Sequence, residues 1–134
     1  MTHIRISEAA GFLGVSDDTV RRWTLGGELS TTEDASGRKV IDGAELAEFA
    51  RARAASHPAP EGPVSSARNQ FPGLVTRIVS DTVMSQVELQ CGPYRVVSLM
   101  STEAVRELQL EPGSIASATI KATNVIVTPP AGRG

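Results

Sequence analysis

The spacing of apolar residues changes near the middle of the chain. In the first half, apolar side chains recur at helical spacing, as at Ala9 and Leu13. In the second half, short runs alternate apolar and polar residues, which is typical of strands. Residues 55–64 between them hold three prolines and almost nothing to bury. The pattern predicts a two-domain α+β protein, with domains at residues 1–54 and 65–130 and a linker between them.

Capping signals divide the first half into helices and a hairpin. Ser7 and Ser16 are the predicted N-caps of the first two helices, and Gly14 is predicted to end the first. A polar tip after the second helix predicts a short hairpin, or wing. Asp42 is predicted to start a third helix, with Glu45 three residues later as in a capping box. This order predicts a helix-turn-helix with a wing.

The second half predicts five strands and one helix. The strands are predicted at residues 71–79, 83–90, 94–100, 115–121 and 124–128. The helix is predicted at residues 102–110. A strand, a hairpin, a helix and two more strands are the order expected of a small OB-like β-barrel. Because a core of this size is marginal by itself, we expect at least one half to form oligomers.

Composition narrows the class of protein. Thirteen basic and 15 acidic residues give a formal net charge of −2, which argues against a general polyanion binder. The one cysteine, Cys91, excludes an internal disulfide and fits a reducing compartment; it is interpreted as a buried strand residue. The sequence has no signal-peptide pattern and no apolar run long enough to span a membrane. We therefore expect a soluble, cytoplasmic protein.

Two polar segments carry the candidate binding chemistry. Ser66 and Asn69 lie in a turn that offers side-chain and backbone donors. Some fifty residues later, Lys121 offers a compact positive charge and Thr123 a hydroxyl; Ser101 offers another. Neither segment contains Asp or Glu. A tetrahedral dianion, which only accepts hydrogen bonds, needs such a set of donors, and sulfate satisfies this requirement as well as larger ions do.

The two segments together resemble the Mop domain, a molbindin or TOBE-like module that binds molybdate and tungstate. The resemblance rests on Ser-Ala-Arg-Asn at residues 66–69 and Lys-Ala-Thr at residues 121–123, and it covers residues 65–128. It implies a Mop-type barrel that holds molybdate or tungstate as an oxyanion, with no separate metal site. The implied oxyanion-binding residues are Ser66, Ala67, Arg68, Asn69, Ser101, Lys121, Ala122 and Thr123.

The same resemblance implies a homo-oligomer, either a dimer or a trimer of dimers, formed through this domain. In the family, one site is shared across a subunit interface. One chain supplies the Ser-Ala-Arg-Asn turn, and its neighbour supplies the lysine and a hydroxyl residue before the short helix. Ser101 and Thr123 keep the hydroxyl donors in this chain, so the choice between molybdate and tungstate stays open.

The first half resembles the winged helix-turn-helix of the MerR and excisionase type, through Ile6–Ser16 and Thr19–Trp23. The resemblance implies contacts with double-stranded DNA from Thr19, Arg21, Arg22, Arg38 and Lys39. Trp23 aligns with a core aromatic residue and is interpreted as packing. The wing is usually rich in arginine in this family but contains Glu33 and Asp34 here. We therefore expect one copy to bind DNA weakly.

Two functions follow from these resemblances. The leading hypothesis is a molybdate-responsive transcriptional regulator. The alternative is an intracellular molybdate store or buffer whose helix-turn-helix domain contacts protein. An enzyme is the weakest class, because His3 and His57 are isolated and the sequence has no catalytic triad, P-loop or Rossmann glycine pattern.

Overall fold

Contacts between residues divide the chain into two compact units. A computed structural model describes residues 2–55 and 66–131. The first unit is Met1–Ala59 and the second is Pro60–Gly134. The linker predicted at residues 55–64 lies almost entirely outside the described residues, so its exact bounds stay a prediction.

The first unit contains three helices and a small antiparallel sheet. Its elements are β1 (His3–Arg5), α1 (Ile6–Leu13), α2 (Asp17–Leu25), β2 (Thr32–Glu33), β3 (Lys39–Asp42) and α3 (Gly43–Ala55). The sheet has the strand order β1-β3-β2. Helices α1 and α2 form the predicted helix-turn-helix, and β2 and β3 form the predicted wing. Strand β1 was not predicted, because three residues are too few to reveal an alternation.

The helix ends follow the capping signals in most places. Ser16 caps α2, with the N–H of Thr19 donating to its hydroxyl over 3.2 Å. Gly14 ends α1 with φ of 67°, a left-handed conformation that glycine adopts without steric penalty. The prediction that Ser7 caps α1 was wrong, since the helix begins at Ile6. The chain enters that helix directly from β1, whose pairing with β3 sets its direction.

The core of the first unit lies between its helices and its sheet. The buried residues are Ala9, Ala10, Val20, Leu29, Ile41 and Leu46. Trp23 packs against this core, with its ring centroid 4.9 Å from that of Phe49. The guanidinium of Arg53 lies over the Trp23 ring, 4.5 Å from its centroid. The interpretation of Trp23 as a packing residue is confirmed.

The second unit is a curled antiparallel sheet with one short helix, which is the predicted OB-like, Mop-type class. Its elements are β4 (Asn69–Ser80), β5 (Met84–Cys91), β6 (Tyr94–Ser101), α4 (Thr102–Glu107), β7 (Ile115–Ile120) and a 3-10 turn (Ala122–Asn124). The strand order is β6-β5-β4-β7. A bulge in β4 between Val75 and Arg77 bends the sheet.

The core of the second unit lies where the sheet packs against α4. Its buried residues are Val75, Val87, Leu89, Cys91 and Val105. A Cβ atom on Gly73 would lie only 2.6 Å from the sulfur of Cys91, so a glycine is required where β4 meets β5. The interpretation of Cys91 as a buried strand residue is confirmed.

The fifth strand predicted at residues 124–128 is not formed, and this prediction was wrong for a single chain. After β7 the chain passes through the 3-10 turn, and Val125, Ile126 and Val127 are 45%, 88% and 87% exposed. Strands β6 and β7 are left as the edges of the sheet. A cavity of about 420 Å³ is lined in part by residues of these two strands. The local sequence has strand propensity, but this segment pairs with no strand of the described chain, and a strand needs such a partner.

Candidate functional site

The β4–β7 ladder brings the two donor-rich segments together. Asn69 lies opposite Ile120, and its side-chain amide donates to the carbonyl oxygen of Ile120 over 3.2 Å. The turn Ser66–Arg68 precedes this pair on one strand, and the step Lys121–Thr123 follows it on the other. The segments therefore adjoin each other at one end of the sheet of the same chain. The resemblance implied that Lys121 comes from a neighbouring chain. The pairing of β4 with β7 already places Lys121 of the same chain next to the Ser66–Asn69 turn.

The cations at this end of the sheet have no carboxylate partner. Lys121 and Arg68 are exposed, and neither forms an ion pair with the residues that the structure describes. The ion pairs found there are Arg21–Asp18, Arg51–Glu48 and Arg95–Glu88. Positive charge at the end of the β4–β7 ladder is thus available to an anion.

The 3-10 turn adds backbone donors to the lysine. The N–H of Asn124 donates to the carbonyl of Lys121 over 2.9 Å, and that of Val125 donates to Ala122 over 3.3 Å. The N–H groups of Ala122 and Thr123 precede that of Asn124, which is the first N–H bonded within the turn. They have no acceptor in the described part of the chain. The side chain of Thr123 is exposed. This step therefore combines an ammonium group, a hydroxyl and two N–H groups.

The residues of the turn before β4 differ in their exposure to solvent. Ser66 and Arg68 are exposed, whereas Ala67 and Asn69 are half-buried. The hydrogen bond from Asn69 to Ile120 uses one amide hydrogen and fixes the orientation of the side chain. The second amide hydrogen of Asn69 stays available as a donor.

Ser101 lies at the other end of the sheet. It pairs with Met84 at the end of β6, and Met84 follows the turn from Ser80. Eleven residue steps separate Asn69 from Ser80 along β4, which is up to about 36 Å of extended strand. One chain therefore does not bring Ser101 to the other predicted donors. The Ser101 hydroxyl accepts from the N–H of Ala104 over 3.0 Å as the N-cap of α4, so its proton remains free to donate.

A chain of hydroxyl groups, with Ser85 and Thr102 buried, holds the sheet end that carries Ser101. The hydroxyl of Ser85 lies 2.7 Å from that of Ser80 and 2.8 Å from that of Thr102. The Thr102 hydroxyl donates to the carbonyl of Asp81 over 2.8 Å. These bonds join the β4–β5 turn to the end of β6 and so fix the backbone beside Ser101. Sequence reasoning missed this network, because its members are far apart in the chain.

The residues predicted to contact DNA from α2 differ in their availability. The hydroxyl of Thr19 lies 2.9 Å from that of Ser16 at the helix start. Arg21 pairs with Asp18 at 2.9 Å on the exposed face. Arg22 is exposed and has no ion-pair partner in the described residues. Among the predicted contacts on α2, Arg22 is therefore the arginine whose charge is not neutralised by an ion pair within the described residues.

The wing carries Arg38 and Lys39 as exposed side chains. Its tip is held by the carboxylate of Asp34, which accepts from the N–H groups of Arg38 and Ser36 over 2.9 and 2.8 Å. The hydrogen bond from the Arg38 N–H keeps the pKa of Asp34 below its usual value. Asp34 therefore shapes the turn, and its negative charge lies beside Arg38, one of the predicted DNA contacts.

A second carboxylate holds the start of α3. Glu45 accepts from the N–H of Ser30 at 2.8 Å and from the Ser30 hydroxyl, whose oxygen lies 2.7 and 2.9 Å from the two carboxylate oxygens. The hydroxyl bond keeps the pKa of Glu45 below its usual value. The N–H of Glu45 donates to Asp42 over 3.2 Å, which is half of the predicted capping box. In a full capping box the Glu45 carboxylate would accept from the N–H of Asp42. Here it accepts from Ser30 instead, which links α3 to the segment after α2.

Two classes of feature are absent from the described residues. No group of three or more His, Cys, Asp or Glu side chains could hold a metal ion in the part of the chain that the structure describes. Over the same residues, no helix has the length and apolar content needed to cross a membrane.

Comparison with known families gives a match for each unit. Residues 4–54 match the model of a helix-turn-helix domain, and residues 65–127 match that of the TOBE domain. These matches confirm the predicted order of a helix-turn-helix domain followed by a Mop-type domain.

Three similar proteins illustrate the second match. A protein of Haemophilus influenzae named "Probable molybdenum-pterin-binding protein" is 46% identical over 63 residues, which are 46% of this chain and 91% of that protein. The molybdenum transport protein ModE of Herbaspirillum seropedicae is 41% identical over 64 residues, 47% of this chain but 24% of ModE. A solved molybdate-binding protein from Sporomusa ovata is 30% identical, covers 50% of this chain and all of its own, and has a TM-score of 0.49. Each is named for binding or transport, and none for catalysis.

Proposed function

Because the chain belongs to the family of proteins that carry the TOBE domain, here after a helix-turn-helix domain, we propose that it is a cytoplasmic, molybdate-responsive transcriptional regulator. In this proposal the second unit binds molybdate or tungstate, and the first unit binds double-stranded DNA. The observation that carries it is the adjacency of Ser66–Asn69 and Lys121–Thr123 at one end of the sheet, without a carboxylate in either segment. No catalytic step is part of the proposal.

The donors suit the chemistry of such an ion. A tetrahedral dianion has four oxygens that only accept hydrogen bonds, so its site supplies cations, hydroxyls and N–H groups. Lys121 gives a compact charge and Arg68 a planar one. Ser66 and Thr123 give hydroxyls, and Asn69 gives its second amide hydrogen. Because these donors also satisfy sulfate, the preference for molybdate depends on the size of the assembled cavity.

Ser101 completes the proposed site from a second copy of the chain. Within one chain it lies at the opposite end of the sheet from Asn69. Its hydroxyl nonetheless keeps a free proton and stands beside a backbone that buried hydrogen bonds hold in place. A homo-oligomer that joins unlike ends of two sheets brings this donor to the turn and the lysine. A dimer and a trimer of dimers both allow such contacts.

The proposed DNA interface uses Thr19, Arg21 and Arg22 on α2, and Arg38 and Lys39 on the wing. Residues 1–55 hold seven basic and nine acidic residues, a net charge of −2, so one first unit attracts phosphate weakly. Two first units in one oligomer combine their contacts through a high effective concentration. The ligand regulates binding if it favours one arrangement of the oligomer over another.

Two measurements on the full chain test the proposal. Native mass spectrometry with and without molybdate reports the oligomer and the bound ions together, and we expect an oligomer that gains ions. Selection from a random duplex library is expected to enrich one sequence, with enrichment that changes when molybdate is added. Absence of any ion adduct removes the ligand assignment, and absence of enrichment under both conditions removes the regulator assignment.

One observation favours a second candidate, an intracellular molybdate store. The first unit offers few uncommitted cations, because Arg21 pairs with Asp18 and the wing holds Asp34 beside Arg38. In a store, this unit contacts protein, and the second unit binds molybdate as in the leading proposal. Ion adducts without DNA enrichment are the result that selects this candidate.

A further inference from the structure

Strand β1 places Arg5 beside the wing, a neighbourhood that the linear sequence does not show. Arg5 pairs with Val40 of β3, and Val40 pairs on its other side with Thr32 of β2. Directly opposed residues of antiparallel strands share one face of the sheet, with Cβ atoms about 4.5–5.5 Å apart. Arg5, Val40 and Thr32 therefore form one row across the three strands of the sheet.

This row lies at the end of the sheet that leads into the wing tip. Arg5 is the last residue of β1, and because β1 runs antiparallel to β3 it lies opposite the start of β3. The N–H of Asp34 donates to the carbonyl of Arg38 over 2.9 Å, so the hairpin pairing continues to Arg38. Side chains two positions apart in an extended chain share a face. Arg38 therefore lies on the face of Val40, on which Arg5 also lies.

Val40 is covered although it points away from the core of the first unit. It is only 3% exposed, whereas its neighbour Ile41, which points to the opposite face, belongs to that core. Arg5 stands beside Val40 and is itself exposed. The apolar stem of an arginine covers such a neighbour while its guanidinium stays in water. The position of Arg5 fits this arrangement, with the charged end at the surface.

The charge of Arg5 changes the electrostatics of the wing. Two acidic and two basic residues at positions 33–39 cancel each other, and Arg5 brings this region to a net charge of +1. The hydrogen bond from the Arg38 N–H is the main cause of the low pKa of Asp34, and the positive charges of Arg38 and Arg5 add to it. Arg5 forms none of the ion pairs found in the described residues. Its guanidinium donors are therefore available to a phosphate.

We propose that Arg5 is a further DNA contact of the first unit and binds a backbone phosphate beside the wing. The proposal rests on the proposed function, because it requires the first unit to bind duplex DNA. A guanidinium presents a planar fork of donors that matches the oxygens of a phosphate. Such a contact fixes the position of the protein on the duplex without reading its sequence. Arg5 thus supplies from β1 the positive charge that Glu33 and Asp34 cancel within the wing.

Fluorescence anisotropy with the full chain and a duplex enriched by selection tests the contact. Arg5→Ala is expected to weaken binding about three- to tenfold at about 0.1 M salt. It should also reduce the slope of log affinity against log salt by about one for each first unit bound. Arg5→Lys keeps a cation and should keep the slope. Arg51→Ala removes an exposed arginine of α3 and should change neither quantity.

Unchanged affinity and slope for Arg5→Ala overturn the inference, as does an equal loss for Arg51→Ala. Urea titration followed by the fluorescence of Trp23 shows whether each variant is folded. A lower urea midpoint for Arg5→Ala, together with a loss of binding that Arg5→Lys does not restore, shows a structural role and also overturns the inference.

A double substitution separates contact with phosphate from mere compensation of Asp34. Asp34→Asn removes the negative charge but keeps a side-chain oxygen that accepts from the N–H groups of Ser36 and Arg38. If Arg5 contacts phosphate, Arg5→Ala weakens binding by a similar factor with and without Asp34→Asn. Loss of the Arg5→Ala effect in the Asp34→Asn chain means that Arg5 only offsets the carboxylate, and this overturns the inference.

Photocrosslinking measures proximity independently of affinity. In a Cys91→Ser background, Arg5→Cys and Arg51→Cys chains are labelled with a short aryl azide and irradiated with the selected duplex. A crosslink to DNA is expected from position 5 and not from position 51. Binding of the duplex by the labelled Arg5→Cys chain without any crosslink overturns the inference.

The unsubstituted chain distinguishes failure of this inference from failure of the proposed function. If it enriches no duplex, the DNA-binding part of the proposed function fails, and the inference fails with it. If it binds a selected duplex and Arg5→Ala binds that duplex equally well, only the inference fails.

Discussion

The side-chain amide of Asn69 donates to the backbone carbonyl of Ile120 over 3.2 Å, across the pair at the end of the β4–β7 ladder. This bond joins the turn that precedes β4 to the step that follows β7. It therefore makes one contiguous surface from two segments that are fifty residues apart in the sequence. The surface contains two cations and no carboxylate from either segment, which is why an anion is the ligand that we propose.

Replacing Asn69 by alanine tests the importance of this link. Asn69→Ala removes the proposed donor to the ligand and the bond to Ile120, and a neutral hydrogen bond contributes about 0.5–1.5 kcal/mol. We expect about three- to tenfold weaker molybdate binding by isothermal titration calorimetry. Gln70→Ala, at the next position of the same strand, is the control and should change the affinity less than twofold. Equal effects of both substitutions contradict the assignment of Asn69.

Lys121 is expected to give the largest single effect on ligand affinity. A charge-assisted hydrogen bond contributes about 1.5–3 kcal/mol, so Lys121→Ala should weaken molybdate binding by at least about tenfold. Lys39→Ala removes the same exposed side chain in the other unit and should leave this affinity unchanged. Isothermal titration calorimetry measures the molybdate affinity of both variants. Unchanged binding by Lys121→Ala excludes the lysine from the site.

Arg22 and Asp18 are expected to act in opposite directions on DNA binding. Arg22→Ala removes the uncommitted charge on α2 and should weaken binding to a selected duplex about tenfold, since one base contact contributes about 1–3 kcal/mol. Asp18→Asn releases Arg21 from its ion pair and should strengthen binding and steepen its salt dependence. Both variants should bind molybdate normally.

Arg51→Ala is the control for these DNA measurements, because Arg51 is an exposed arginine of α3 outside the predicted interface. Fluorescence anisotropy at several salt concentrations gives the affinity and the salt slope together. A loss for Arg51→Ala as large as that for Arg22→Ala would point to general charge attraction in place of a contact from α2.

The first unit should lose stability in acid through Glu45. Hydrogen bonds from Ser30 lower the folded pKa of Glu45, so its contribution is present above the unfolded pKa of about 4.3 and is lost as the pH falls through the lower folded value. Glu45→Gln should therefore be less stable than the unsubstituted chain at pH 7, with a difference that shrinks as the pH falls below the unfolded pKa of about 4.3.

Urea titrations followed by the fluorescence of Trp23 measure this effect, because Trp23 is the single tryptophan and lies in the first unit. Glu48→Gln is the control, since Glu48 lies on the same helix and pairs only with the exposed Arg51. A stability difference for Glu45→Gln that does not change with pH would show that the lost contacts are not those of the charged carboxylate.

The second unit should fold and assemble without the first. Each unit has its own buried core, and the pattern of the second unit is complete from residue 65. A chain cut at about residue 64 should therefore remain folded, form the same oligomer in analytical ultracentrifugation and bind molybdate with nearly unchanged affinity. A folded but monomeric and empty fragment would mean that the first unit contributes to the site.

The parts of the fold that sequence alone predicted are those set by local chemistry. Ser16 and Gly14 mark helix ends because a hydroxyl acceptor and a left-handed conformation are properties of single residues. Strand β1 escaped prediction because it exists only through pairing with β3. The strand predicted at residues 124–128 was wrong for the converse reason, since its composition is that of a strand but it pairs with no strand among the described residues.

The candidate site shows the same difference between what single residues determine and what strand pairing determines. Its residues were named from their side-chain chemistry and from the resemblance to the Mop domain, but their grouping depends on the register of the sheet. Asn69 and Lys121 adjoin because β4 pairs with β7, whereas Ser101 is at the far end because β6 pairs with β5. The sequence contains no direct signal of either distance.

The position of Ser101 at the opposite end from Asn69 has a consequence for how many complete sites an assembly holds. In the proposed site, each chain supplies one half to another copy and takes the other half from a copy, so the copies are linked as donor and acceptor. A twofold dimer satisfies both needs at once and holds two complete sites. A closed ring holds one site for each copy, but an open row leaves an unmatched half at each end. The number of ions bound per chain therefore reveals whether the assembly is closed.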